Sequence, residues 1–330
     1  MRIPYALLAG SLLFAIGAPA ADLTQATLRT SAQKGLVLLE KTSPTFLRIG
    51  GCNSCHNQML PAAAQAIARK RGIAAGETIA QLSPETSEAT IERIIEYAAG
   101  VAGPNLYEFF ADASSGQPRD ERREAKLFVL KSMQQPEGSW RTNSTRTPLT
   151  ADDFTSTALA ILALDTYTPP AQRADTDTRI AKARSWLLEA KPVTTQERAF
   201  QILGLAWSKA GKDPIAKAAQ GLQAMQRKDG GWSQLPAMPS DAYATGLALY
   251  ALSQGGVAPK DAMYTAGLRY LVDTQAPDGT WHVRARSLPV QPYFESGYPY
   301  GHDQWISAAG AAYAVMAISA AVEPQKLAAR

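Results

Sequence analysis

Gln134-Gln135-Pro136-Glu137-Gly138-Ser139-Trp140, Gln226-Arg227-Lys228-Asp229-Gly230-Gly231-Trp232 and Gln275-Ala276-Pro277-Asp278-Gly279-Thr280-Trp281 are three copies of one turn. Each follows an amphipathic segment (125–133, 216–225, 266–274). Each precedes a more apolar, alanine-rich helix candidate (153–166, 241–254, 305–321). The tryptophans stand about 92 and then about 49 residues apart, so one repeat between the first two is expected to lack its tryptophan turn. Residues 180–191 followed by 194–210, joined through Lys191-Pro192, supply that helix pair. A period of about 46 residues predicts a stack of helix pairs. In each turn the glycine can take the left-handed conformation that ends a helix. The tryptophan is expected to cover the helix end, and the glutamine amide to reach unpaired backbone groups.

The Gln-x(3)-Gly-x-Trp pattern after an outer helix resembles the QW motif of the terpenoid cyclase and protein prenyltransferase repeat. The resemblance implies an all-α fold, an α/α toroid with parallel inner helices inside an outer ring. It covers residues 125 to about 321; residues 28–116 carry no such turn. There 31–47 is expected as an outer helix, 58–70 as an inner one ended by Gly72, and 84–98 as a further helix closed by 100–105. Five or six pairs result. Cyclases of the hopene type protonate their substrate with an Asp-x-Asp-Asp run. Here Thr150-Ala151-Asp152-Asp153 lacks the first aspartate, and Asp153 and Asp241 recur in matching places, as helix N-caps would. Cyclase activity is therefore not expected.

Cys52-Asn53-Ser54-Cys55-His56 holds the only two cysteines and matches the c-type haem attachment pattern. Cys52 and Cys55 would form thioethers to one covalent haem c, with His56 as proximal ligand. His302 is expected as the second axial ligand, ahead of His282 and Met238; Met59 is too close to His56 in sequence to reach round. The same residues leave other readings open: a disulfide or redox pair, zinc held with His302 or Asp303, or a Cys55–Gln58 thioester of the kind found in complement-type toroids.

Residues 1–20 run from Arg2 through an apolar stretch to Ala18-Pro19-Ala20 and read as a secretory signal, leaving 21–330 as one domain. Within it, 28–72 is the cysteine-bearing first repeat and 121–321 the QW-type repeats. A periplasmic location follows, and no later stretch is expected to span a bilayer. The net charge of +4 is too weak and dispersed for a nucleic-acid partner. If the inner helices run parallel, their N-terminal ends gather Cys52–His56, Asp152-Asp153, Thr195-Gln196, Ser240-Asp241 and His302-Asp303 at one mouth. The long segment between Trp281 and Trp305 reads equally as a loop that packs over the ring mouth and binds nothing, or as one that binds an anionic ligand or the haem propionates through Arg284 and Arg286. Tyr293, Glu295, His302 and Asp303 stand beside them. The expected function is redox: electron transfer with an unknown partner, or haem-assisted oxidation of a small molecule. The alternative is a non-redox ligand-binding toroid. Trp186 and Trp207 read as core.

Overall fold

The computed structural model describes residues 23–50, 54–76, 78–79, 104–142, 146–288 and 293–324. The signal, Cys52, the helix expected at 84–98 and the middle of the last long loop lie outside them. Among the described residues the helices are α1 (Gln25–Gly50), α2 (Leu60–Lys70), α3 (Leu106–Ser115), α4 (Glu121–Ser132), α5 (Asp153–Tyr167), α6 (Arg173–Glu189), α7 (Thr195–Trp207), α8 (Lys212–Gln223), α9 (Ala242–Gln254), α10 (Ala262–Asp273) and α11 (Gln304–Ala321). Among the described residues the extended backbone contributes one isolated bridge, Ser233 to Ser240.

Helices α2, α3, α5, α7, α9 and α11 each pack on the next, and α11 packs back on α2, closing an inner ring. Helices α1, α4, α6, α8 and α10 lie outside and wedge against the inner ones. Composition explains the division. Every residue of α9 from Ala242 to Leu252 is buried, as befits a helix that is apolar all round, whereas α8 buries only Ala219 and Leu222. Inner helix α11 is long and apolar enough to cross a bilayer by length and composition, contrary to the expectation, but 89% of that window is buried inside the ring.

The turns work as their residues require. Trp232 is buried and its indole Nε1 donates to Leu222 O at 2.9 Å, covering the last turn of α8. Gln226 Nε2 donates to Gly230 O inside the turn and to Met263 O at the start of α10. Trp140 and Trp281 repeat the indole bond, to Leu130 O and Leu271 O. Gln134 reaches Arg179 O on α6, and Gln275 reaches Ser31 O on α1. Each turn therefore staples its own outer helix to the next one, and the last staple returns to the first helix. The repeat without a tryptophan substitutes Gln201 of α7, whose Nε2 donates to Leu187 O of α6 at 2.8 Å.

Two elements differ from expectation. Helix α3 is an inner helix that its short, aromatic sequence did not announce. Asn105 caps it by accepting from Tyr107 N, and Gly116 ends it at φ 71°. The inner helix expected from Gln58 instead begins with a π-helical turn, Cys55–Met59, before α2. Ser54 caps that turn by accepting from Asn57 N.

Candidate active site at the N-terminal mouth of the ring

The N-terminal ends of the inner helices meet, as parallel packing demands. Asp152 caps α5: its Oδ1 accepts from Thr155 N at 2.7 Å. Its Oδ2 accepts from Thr155 Oγ1 at 2.9 Å and from Gln196 Nε2, in the first turn of α7, at 2.7 Å. Tyr243, in the first turn of α9, donates its hydroxyl to Gln196 Oε1 at 2.6 Å. A continuous chain Tyr243–Gln196–Asp152 thus spans three inner helices. Tyr313 of α11 stands edge-on to Tyr243 at 5.3 Å, and Tyr107 of α3 donates to Leu149 O beside Asp152.

Burial pushes the Asp152 carboxyl up to about 6, against the pull of its three donors, which favour the carboxylate. Asp241 matches it: it caps α9 through Ala244 N and accepts from Gln234 Nε2, and burial raises it also to about 6. Arg286 lies between them in charge terms. Its Nε donates to Gln234 Oε1 at 2.8 Å, and burial lowers its pKa while Tyr243, Asp241 and Asp152 pull it back. This mouth therefore holds two carboxyls that keep their protons up to about pH 6, with tyrosine rings around them.

The N-cap of α5 is Asp152, not Asp153; Asp153 accepts instead from Thr142 N at 3.0 Å. The expectation of capping at 241 holds.

The other residues expected at the site are scattered. Cys55 is half-buried, with Sγ 3.4 Å from Asn105 Oδ1. His56 is buried between the rings of Phe46 at 5.4 Å and Trp305 at 5.6 Å. Burial, then the nearby charge of Arg146, lowers its pKa to about 3, so it is neutral. The ring that reaches His56 from the last inner helix is Trp305; His302 is exposed and lies against Tyr293 at 4.6 Å. The amide of Gln58 accepts from Ser54 N and Oγ and donates to Ser43 O, so it caps the π-turn and is turned away from any thioester with Cys55. Among the described residues no cluster of three His, Cys, Asp or Glu residues suits a metal ion.

In the last loop Arg284 is exposed. Asp303 accepts from Ala285 N and pairs with His282 Nε2 at 2.7 Å, and Tyr293 donates to Glu295. Those residues tie the loop to itself. Only Arg286 of the set faces the mouth. What residue reasoning missed is the Gln196–Tyr243 link: Gln196 was expected at the mouth and Tyr243 was not, although its place in the first turn of α9 was the available signal.

No family model matches the chain. Over 204 residues it is 28% identical to a drimenyl diphosphate synthase of Streptomyces showdoensis, a match that covers 57% of this chain and 37% of that protein. The chain thus spans well under half the length of that relative. The solved type II terpene cyclase MstE from Scytonema superposes in its apo form with a TM-score of 0.54 at 13% identity, covering 91% of this chain and 99% of that one. A variant of MstE in complex with its substrate, geranylgeranyl dihydroxybenzoate, gives 0.55, again at 13% identity, covering 89% and 98%.

These findings overturn the redox function expected from Cys52–His56, because the likeness in sequence and in fold is to terpene cyclases. They equally overturn the dismissal of cyclase chemistry. That dismissal rested on one missing aspartate and on reading a cap as incompatible with catalysis, whereas a buried cap can be a proton donor. The chain has the α/α-toroid fold of the type II terpene cyclases.

Proposed function

We propose that this chain is a terpenoid-cyclase-like enzyme that starts ring closure of an isoprenoid polyene by proton transfer from Asp152. The observation that carries the reading is the buried Asp152 carboxyl, raised to about 6 at the mouth of a cyclase-type ring. The sequence match to a drimenyl diphosphate synthase supports it.

The chemistry follows from the donors. Protonated Asp152 gives its proton to a terminal alkene carbon, forming a C–H bond and leaving a tertiary carbocation. The next double bond attacks that cation, and loss of a proton from the cyclised cation ends the reaction. As the proton leaves Asp152, Thr155 N, Thr155 Oγ1 and Gln196 Nε2 already point at the carboxylate and need no reorganisation. The faces of Tyr107, Tyr243 and Tyr313 supply negative quadrupoles suited to a carbocation. No electron-transfer role is assigned to Cys55 or His56, which form the turn that seats α2. An export signal at residues 1–20, a periplasmic setting and a small-molecule substrate belong to the same proposal.

The test is product analysis. Purified protein is incubated with linear prenyl diphosphates of several chain lengths, and products are read by mass spectrometry after dephosphorylation. A cyclic product that disappears in Asp152→Asn supports the proposal; equal yield in Asp152→Asn rejects it.

A further inference from the structure

The C-terminal ends of the inner helices frame a second opening, at the far end of the ring from Asp152. Ten residues of α5 separate Asp152 from Leu162, a rise of about 15 Å. A cavity of about 410 Å³ lies there. Its walls are Phe110 of α3, Leu162 of α5, Trp207 of α7 and Tyr250 of α9; the Phe110 ring stands 6.1 Å from Trp207 and 6.0 Å from Tyr250. Lys70 and Arg71, at the end of α2, line it as well. Among the described residues neither of these two side chains makes a hydrogen bond or an ion pair, although Arg71 lends its backbone carbonyl to Arg29. Tyr107 and Tyr243, in the first turns of α3 and α9, belong to the opposite end.

We propose that this cavity binds a single-chain amphiphile with an anionic head, a free fatty acid, with its tail against Phe110, Trp207 and Tyr250 and its head on Lys70 and Arg71. The reasons are charge and size. Helix C-termini carry partial negative charge and disfavour an anion, so a mouth that accepts one needs the cations that stand here uncommitted. The volume lies near the lower end of the about 300 to 1,000 Å³ typical of small-molecule sites, room for one alkyl chain rather than a two-tailed lipid. Phe110, Trp207 and Tyr250 supply the apolar side of the cavity, and Lys70 and Arg71 its polar side. This site is separate from the proposed cyclisation and does not depend on it.

A bromine-tipped undecanoate, added to the full-length protein below its micelle concentration, tests the proposal through tryptophan emission. The result expected is saturable quenching that is lost in Trp207→Phe. Affinity should fall about tenfold in the Lys70→Ala/Arg71→Ala double variant, since a charge-assisted contact is removed. The corresponding bromine-tipped alcohol should bind about tenfold more weakly than the acid. Quenching that persists in Trp207→Phe, or an alcohol that binds as tightly as the acid, overturns it. So does an absence of saturable quenching. The double variant alters only side chains at the rim, so it remains informative should Trp207→Phe fold poorly. Asp152→Asn should keep the binding whether or not it abolishes cyclisation, which separates this proposal from the previous one.

Discussion

Asp152 caps α5, and its burial raises the carboxyl to about 6. Its carboxyl is raised above the unfolded value, so the folded state binds more protons than the unfolded one between about pH 4 and 6. That contribution to stability is complete below the unfolded pKa and is lost as pH rises through about 6. The rise from the ordinary carboxylate value to about 6 corresponds to about 3 kcal/mol. Asparagine caps a helix as well as aspartate does and carries no charge. The stability of Asp152→Asn relative to wild type should therefore rise by up to about 3 kcal/mol from pH 4 to 7 and then level off, as read by urea denaturation. Asp241→Asn should behave alike, because its carboxyl is raised to the same value. Catalysis supplies the contrast between them. With Asp152 as the acid, the rate should fall as pH rises through about 6, and Asp241→Asn should leave a measurable rate where Asp152→Asn leaves none. His56 titrates the other way: buried neutral, it disfavours the folded state as pH falls below its ordinary value. None of these shifts was legible in the sequence, since each depends on burial by helices far away in the chain. The sequence pattern paired Asp241 with Asp153, one residue away from the aspartate that caps α5.

At the scale of the element, the turns that join the helices were the most readable part of the chain. Glutamine, glycine and tryptophan at fixed spacing each have one task, and the contacts match it. Gly230 shows why the glycine is needed twice over. Its φ is 84°, in the left-handed region, and a Cβ there would come within 2.6 Å of Ala266 O on α10. Gly138 and Gly279 stand against Lys182 O and Lys34 O in the same way. Gly230→Ala should lower stability by about 2 to 4 kcal/mol in chemical denaturation, combining backbone strain with displacement of a helix. Trp232→Phe should cost about 1 to 3 kcal/mol, because Leu222 O would lose its buried donor. The π-turn at Cys55–Met59 and helix α3 were not readable. The turn is a local adjustment that Ser54, Gln58 and Ser43 hold by hydrogen bonds across sequence. Helix α3 has only ten residues, and its aromatic ring contacts reach α5, α7 and α9, so no local pattern marks it as inner.

For the molecule as a whole, closure of the ring is the organising fact. Gln275 binds Ser31 twice, by Nε2 to its carbonyl and by Oε1 to its hydroxyl, joining the last outer turn to the first outer helix. Gln25 donates to Ala321 O and accepts from Glu323 N, so the two described ends of the chain meet. Gln275→Ala should therefore lower the unfolding midpoint, leaving the buried Ser31 hydroxyl without its acceptor, by an amount set by about 1 to 3 kcal/mol. The repeat period predicted stacked helix pairs, and their closure into a ring was what the resemblance of the QW-type turns implied. The function was misread because one short cysteine motif outweighed the fold around it, and only the assembled mouth shows Asp152, Gln196 and Tyr243 as a unit. The most direct test is the cyclisation assay on wild type and Asp152→Asn, run side by side with linear prenyl diphosphates. A cyclic product made by the wild type, falling off as pH rises through about 6 and absent in the variant, is the result predicted. A wild-type protein that returns every polyene unchanged, or a variant that cyclises as well as the wild type, would contradict the account.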